Sequence, residues 1–256
     1  MKTQRMPVVF VGHGSPMIAV EDSRFRRGIR EMGEKIGRPG AILAVSAHWM
    51  TKGVRVRTAG DNPQINDMYG FPKELYEIHY EPPGDGRLAK HVLGLLGGTA
   101  SEDNTWGIDH GIWTVLCNMY PGADIPVVMM STPTDYTPDE FLQTGKKLKG
   151  LSEEGVLILA SGNVVHNLRR VDWGNPDGAP WAHEFDAYVK NCILTGNETQ
   201  LLEADKLSSY AKAVPTPEHF YPLLAAAGAA AGRKAEVWNE GCELGSISMT
   251  SYLFTS

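Results

Sequence analysis

The amino-acid sequence predicts a single α/β domain over residues 1–256, in which helices flank both faces of a central, mostly parallel sheet. Short apolar runs rich in β-branched residues alternate along the chain with longer segments whose apolar residues recur every three to four positions. This alternation is typical of strands and helices that follow one another in parallel α/β proteins. No internal repeat, low-complexity tract or charge run marks a linker between two units. The predicted fold class is therefore a three-layer α/β/α domain.

The first predicted strand leads directly to a candidate site residue. Residues 8–16 read VVFVGHGSP, an apolar run that enters a glycine-rich loop holding His13. In open α/β sheets, ligands bind beyond the carboxyl ends of the strands. Gly12 and Gly14 carry no Cβ, so other groups can approach His13 closely. A histidine in a surface loop is the alternative interpretation of this segment taken alone.

Two further apolar runs also lead to a histidine. Residues 41–49 (AILAVSAHW) reach His48, and residues 156–166 (VLILASGNVVH) end in His166. If these strands and the first one are parallel neighbours, three imidazoles converge at one edge of the sheet. Converging imidazoles are what a transition-metal site needs.

The remaining elements follow from periodicity and from Gly and Pro punctuation. Helices are predicted at residues 22–35, 87–96, 137–151 and 181–194. Further strands are predicted at residues 125–131, 235–239 and 246–254. The alternating residues 54–58 predict a half-exposed strand near an edge of the sheet.

Two predicted helix starts carry further candidate residues. One helix begins near His110, and the preceding Asp109 either holds an imidazole nitrogen or caps the helix. The last helix is predicted to open at Thr216-Pro217, with His219 in its first turn. The helix dipole there disfavours protonation, and a neutral imidazole is the form that binds metals. A purely structural role is the alternative for both histidines.

Composition argues against several classes of function. The formal net charge is −6 and there is no basic run, which argues against nucleic-acid binding. No apolar stretch is long enough to predict a membrane span. Three cysteines without CxxC spacing indicate reduced thiols, and with the other features they predict a cytoplasmic protein. Nothing in the sequence indicates an oligomeric state.

The candidate histidines lie within a series of motifs that resembles a known enzyme family. In chain order the motifs are HGSP at 13–16, SAHW at 46–49, YGFP at 69–72, WGIDHG at 106–111, GNVVHNL at 162–168, TPEHFYPLL at 216–224 and SISMTSY at 246–252. Together they resemble the class III extradiol ring-cleaving dioxygenases, in particular the DOPA 4,5-dioxygenase branch. The resemblance implies a mononuclear non-haem iron(II) centre. Zinc(II) can occupy such a site, but it does not support the oxygen chemistry.

The resemblance also implies roles for individual residues. His13 and His48 match the two imidazole ligands of the metal. His166 matches a histidine that acts as acid and base and can approach the metal. The third ligand is a glutamate in the wider class, but in this branch the matching position is His219. The adjacent Glu218 is the less favoured candidate.

The expected substrate is a catechol such as L-DOPA, which dioxygen opens beside its two hydroxyl groups to give a seco-DOPA-type semialdehyde. His110 matches a pocket histidine that hydrogen-bonds the bound substrate or oxygen. Tyr69, Phe71 and Tyr252 lie in the matched motifs and are expected to contact the substrate. A base must take a proton from the catechol, and His166 suits that role with a pKa near neutrality.

Two other functions are compatible with the same histidines. A zinc-binding hydrolase would use them to activate water. A non-enzymatic, Memo-like scaffold shares the fold, although the YGFP and WGIDHG motifs favour an enzyme. The sequence has no GxSxG motif, which argues against a serine hydrolase.

Overall fold

A computed structural model describes residues 4–255. The predicted domain covers residues 1–256, and its terminal residues 1–3 and 256 lie outside the described residues. The strands are, in chain order, β1 (Val8–Gly12), β2 (Ala41–Thr51), β3 (Val54–Val56), β4 (Ala100–Glu102), β5 (Val127–Pro133), β6 (Val156–Gly162), β7 (Lys234–Trp238), β8 (Cys242–Glu243), β9 (Ile247–Ser248) and β10 (Ser251–Thr255). Eight of them form one sheet in the order β4-β3-β5-β2-β6-β1-β10-β7, and β8 pairs with β9.

The helices fall close to the predicted segments. They are α1 (Arg24–Ile36), α2 (Lys73–Tyr76), α3 (Gly86–Leu96), α4 (His110–Met119), α5 (Pro138–Leu148), α6 (Pro180–Thr195), α7 (Glu198–Leu202), α8 (Tyr210–Ala213) and α9 (Tyr221–Ala229). A reciprocal capping box between Thr137 and Glu140 starts α5. Within residues 4–255, the helices are too short or too polar to cross a membrane.

The centre of the sheet consists of four parallel strands, β5, β2, β6 and β1. The three strands that lead to histidines are therefore parallel neighbours, as the sequence predicts. Their ends are in register, because Gly12 of β1 lies opposite Gly162 of β6, and Ser46 of β2 lies opposite Ser161. All three strands consequently deliver their following residues to the same edge of the sheet.

Alternate residues of the central strands pack into two separate cores. Phe10 and Leu43 contribute to the core that includes residues of α3, α5, α6 and α9. Val9 and Ile42 contribute to the core on the other face, with residues of α1 and α4. This alternation follows from the two-residue period of a strand. It confirms the predicted three-layer α/β/α fold class.

The strand β3 is second from one edge of the sheet, near the edge as predicted, and β4 pairs with its outer side. Two other predicted elements differ from the structure. The strand β6 ends at Gly162, so His166 lies in the following loop. The last helix does not open at Thr216-Pro217: residues 217–219 form a separate 3₁₀ turn, and α9 begins after them. Pro222, the second residue of α9, suits a helix that starts at this point.

Candidate metal and substrate site

His13 lies directly after β1 and has a fixed hydrogen-bonding state. A Cβ at Gly12 would lie 2.7 Å from the backbone carbonyl carbon of Met249, so the predicted close approach needs glycine. Nδ1 of His13 is 2.9 Å from the hydroxyl oxygen of Ser161, and that hydroxyl donates to the carbonyl of Gly111 at 2.5 Å. Because the only hydroxyl proton is used, Nδ1 donates to Ser161 and Nε2 remains an acceptor.

His48 lies in an irregularity of β2. Ser46 and Met50 pair with consecutive residues of β5, so the three residues between them bulge out of the ladder. Nε2 of His48 is 3.2 Å from Nε2 of His13. On the other side of the ring, Nδ1 of His48 lies 3.4 Å from Oδ2 of Asp67. This contact is longer than a hydrogen bond; it sets Nδ1 of His48 toward the carboxylate while Nε2 faces His13.

His219 closes the 3₁₀ turn that precedes α9. Its Nδ1 is 3.1 Å from Oε1 of Glu218, and the same oxygen accepts a hydrogen bond from the hydroxyl of Thr216 at 2.9 Å. Nε2 of His219 is buried and has no hydrogen-bond partner within residues 4–255. A buried polar atom without a partner is costly, so this nitrogen is available for a ligand.

These three imidazoles fit a single metal ion. One ring nitrogen from each lies within 4.8 Å of the other two. Two nitrogens at the roughly 2.0–2.1 Å bond length of zinc would be about 3.3 Å apart in tetrahedral geometry. The separation of 3.2 Å between His13 and His48 is close to that value. A cation would take the Nε2 atoms that face each other on His13 and His48, together with the unpartnered nitrogen of His219.

The surroundings keep the three imidazoles neutral. Burial lowers the pKa of His13 and of His219 well below the ordinary histidine value, and neighbouring imidazoles lower both further. Burial also lowers the pKa of His48 to about 3, an effect that His110 strengthens and Asp67 opposes. Neutral imidazole is the metal-binding form. The neutral state predicted for His219 is therefore present, and burial is its largest cause.

His110 is the first residue of α4, and its ring centroid lies 4.0 Å from that of His48. Oδ1 of Asp67 accepts hydrogen bonds from the backbone N–H of His110 at 3.0 Å and from its Nδ1 at 2.9 Å. Burial alone would raise the pKa of Asp67, but the hydrogen bonds and the charge of His110 hold it below its usual value. Asp67 is therefore the carboxylate that holds this imidazole.

Both predicted roles of Asp109 are wrong. Its side chain makes no helix-capping hydrogen bond and holds no imidazole. Its two oxygens accept instead from the Ser46 hydroxyl and from the indole N–H of Trp106, each at 2.8 Å. Complete burial raises the pKa of Asp109 to about 6, and the nearby charge of Asp67 adds to this shift.

His166 lies against His219 in the loop after β6. The two rings are stacked, with centroids 3.5 Å apart and 9° between their planes. Neither ring nitrogen of His166 has a hydrogen-bond partner in the described part of the chain. Burial lowers the pKa of His166 to about 4, although Glu218 opposes the shift. The expected pKa near neutrality is therefore wrong, and the ring is unprotonated at neutral pH.

The three aromatic residues expected to contact a substrate occupy different environments. Tyr69 and Phe71 lie in the loop that carries Asp67, where Tyr69 is 92% exposed and Phe71 packs against the core. Tyr252 is fully buried in β10 and stacks on Phe10, with ring centroids 6.2 Å apart. The expectation for Tyr252 is corrected, because its ring is enclosed by the sheet's own core.

Two residues that hold ring nitrogens were absent from the sequence prediction. Asp67 lies 43 residues from His110, and Ser161 lies 148 residues from His13. The local signals are weak: one is a carboxylate in an aromatic loop, and the other is a hydroxyl at the end of an apolar strand. Only the fold brings these groups to the imidazoles.

Comparison with known proteins finds relatives along nearly the whole chain. The family described as the catalytic LigB subunit of aromatic ring-opening dioxygenase matches residues 7–255. A protein of Escherichia coli strain K12 named 4,5-DOPA dioxygenase extradiol is 42% identical over 98% of this chain and 95% of its own length. A protein of the same name from Beta vulgaris is 37% identical over 96% of each chain.

The fold agrees as well. A crystal structure of an uncharacterized protein from Escherichia coli K12 has a TM-score of 0.86 and 38% sequence identity, covering 98% of this chain and 100% of its own. The chain therefore belongs to the LigB family of aromatic ring-opening dioxygenases, the class III extradiol family that its sequence motifs predict.

Proposed function

We propose that this protein is an iron(II)-dependent extradiol dioxygenase that opens the ring of a small catechol such as L-DOPA. The observation that carries the proposal is the convergence of three neutral imidazoles, one ring nitrogen of each lying within 4.8 Å of the other two, with two further histidines beside them. Three protein ligands leave open positions on iron(II), which suits an oxygenase. The names of the relatives support the catechol class.

The ligands that we propose are His13, His48 and His219. The unpartnered, buried Nε2 of His219 favours this residue over Glu218 as the third ligand. One oxygen of Glu218, Oε1, is already engaged by Nδ1 of His219 and by the hydroxyl of Thr216. Glu218 then orients the ring of His219, which is the usual arrangement behind a metal-binding histidine.

His166 is the base in this proposal. Iron(II) bound at the three imidazoles would supply Lewis acidity toward the catechol oxygens and electron transfer to dioxygen. The ring of His166 is unprotonated at neutral pH and has no hydrogen-bond partner in the part of the chain described, so a ring nitrogen can take a catechol proton. His110 has its Nδ1 held by Asp67, which leaves Nε2 to hydrogen-bond the substrate or oxygen.

The exposed ring of Tyr69 and the neighbouring Phe71 are the aromatic residues that we propose for substrate contact. Both lie on the loop whose Asp67 is bonded to His110. The loop is thereby attached beside the imidazoles, where its rings can pack on a flat aromatic substrate.

The test is ring cleavage by protein that has been loaded anaerobically with iron(II). L-DOPA, dopamine and caffeate are each added, followed by oxygen, and oxygen uptake is recorded together with the appearance of a yellow semialdehyde. Matched phenols with a single hydroxyl serve as controls, because they cannot chelate through two oxygens. The variant His166→Phe, loaded with the same amount of iron, controls for reaction in free solution.

Cleavage of catechols and not of phenols is the expected result. Hydrolytic turnover by zinc-loaded protein in the absence of oxygen would point to the hydrolase instead. No oxygen uptake with any catechol, despite full iron loading, would contradict the proposal and favour the scaffold.

A further inference from the structure

The carboxylate of Asp67 contacts two imidazoles that come from different elements of the fold. One oxygen accepts from the backbone N–H and from Nδ1 of His110 at the start of α4. The other oxygen lies 3.4 Å from Nδ1 of His48 in the bulge of β2. The side chain of Asp67 is only 15% exposed, so the three groups are largely shielded from water.

The hydrogen bond to His110 fixes one nitrogen of that ring. A carboxylate only accepts hydrogen bonds, so Nδ1 of His110 carries a proton and Nε2 is the nitrogen left for another partner. The longer contact sets Nδ1 of His48 toward the carboxylate, and Nε2, which faces His13, is then the nitrogen that a metal would take.

We propose that Asp67 is a positioning residue that orients the metal-binding ring of His48 and the substrate-facing ring of His110 at the same time. The part of this inference that concerns metal binding rests on the function proposed above. Asp67 itself touches neither metal nor substrate, and it acts through the two imidazoles.

No other acidic side chain nearby can replace it. Asp109 is adjacent to His110 in the sequence, but both of its oxygens are occupied by Ser46 and Trp106. Glu218 bonds His219 and lies on a different turn. The attachment of His110 and His48 to one group therefore depends on Asp67.

Two substitutions separate the two contacts. Asp67→Ala removes both. Asp67→Asn keeps one acceptor oxygen for the two N–H groups of His110, but it turns an amide N–H₂, a donor, toward Nδ1 of His48. Glu77→Gln is the matched control, because it removes an exposed carboxylate at the end of α2 whose ion pair is with Lys73.

Two measurements that do not depend on turnover test the proposal. Zinc affinity is measured by competition with a chromophoric chelator, and thermal melting reports whether each variant is folded. The tautomer of His110 is read from long-range ¹H–¹⁵N spectra of zinc-loaded protein.

We expect both Asp67 variants to bind zinc roughly 10–100-fold more weakly than Glu77→Gln, the usual loss for a partner behind a metal ligand. His110 is expected to be protonated at Nδ1 in the wild type and in Asp67→Asn. In Asp67→Ala it is expected to shift toward the Nε2–H form that free imidazole side chains prefer. If Asp67→Ala does not fold, Asp67→Asn still tests the contact with His48.

Zinc affinity of Asp67→Asn equal to that of Glu77→Gln, or an unchanged His110 tautomer in folded Asp67→Ala, would overturn the proposal. Neither readout involves a catechol. If the wild-type protein cleaves no catechol, but zinc affinity and the His110 tautomer both depend on Asp67, the positioning role is supported and only the proposed function is contradicted.

Discussion

Replacement of Gly162 by alanine should detach His219 from the metal site. Gly162 ends β6, and an added Cβ would lie 2.1 Å from the backbone oxygen of His219. Ordinary contacts begin at 3.4 Å, so the two backbones must separate by about 1.3 Å. Metal sites tolerate changes in ligand distance of only about 0.2 Å. The same separation strains the hydrogen bond from the N–H of Asn163 to the His219 carbonyl, now 2.9 Å.

The assay is zinc affinity by chelator competition, with thermal melting as the measure of folding. Loss of a ligand should weaken zinc binding by more than the roughly 100-fold that loss of an outer partner costs. Overpacking of this kind costs about 1–3 kcal/mol, which lowers Tm by roughly 2–12 °C in a chain of this size. Gly94→Ala is the matched control, because nothing lies within 4 Å of its added Cβ on α3.

A Gly162→Ala protein that binds zinc as tightly as Gly94→Ala would refute the reasoning. It would mean either that the turn at residues 217–219 can move without displacing the imidazole, or that His219 is not a ligand. Removal of the imidazole separates these two explanations, and that is the first of the remaining predictions.

His219→Ala should abolish tight zinc binding, whereas Glu218→Gln should weaken it only about 10–100-fold; the reverse order, measured by metal content, would make Glu218 the ligand. His166→Phe should keep the stacked ring on His219 and full iron content but lose roughly 10²–10⁴-fold in turnover; loss of metal as severe as in His13→Ala would make His166 a ligand. Asp109→Asn should change the pH dependence of unfolding. The folded pKa of about 6 exceeds the unfolded value of 3.8, so wild-type stability falls as pH rises through this range. Denaturant unfolding should show the variant gaining up to about 3 kcal/mol relative to wild type between these limits, and a constant difference would contradict the shifted pKa.

The sequence predicts the sheet because its central strands are continuous apolar runs, buried on both faces. That pattern correctly placed His13 and His48 at one edge, since neighbouring parallel strands end together. It did not predict Asp67 or Ser161, whose partners are brought near only by the fold. A hydrogen bond between residues so far apart leaves no periodicity to detect.

Local rules also led to wrong assignments where tertiary contacts offered better partners. Asp109 sits at a helix N-cap position, but the Trp106 indole and a Ser46 hydroxyl on a neighbouring strand occupy its carboxylate. Thr216-Pro217 looks like a helix start, yet α9 begins only after His219. Tyr252 lies in a matched motif, but its ring is on the core side of β10.

The bulge of β2 separates the part of the strand that stabilises the sheet from the part that carries chemistry. Its first segment, through Ser46, is locked in register with both neighbouring strands, and the ladder with β5 resumes at Met50. Two hydrogen bonds at Ser46 hold the bulge. The N–H of His48 donates to the Ser46 hydroxyl at 3.1 Å, and the hydroxyl of Thr132 donates to the Ser46 carbonyl at 2.8 Å. Core residues of β2 can therefore be substituted without changing the orientation of His48. An insertion or deletion of one residue between Ser46 and Met50, in contrast, would change the ligand geometry while leaving the sheet intact.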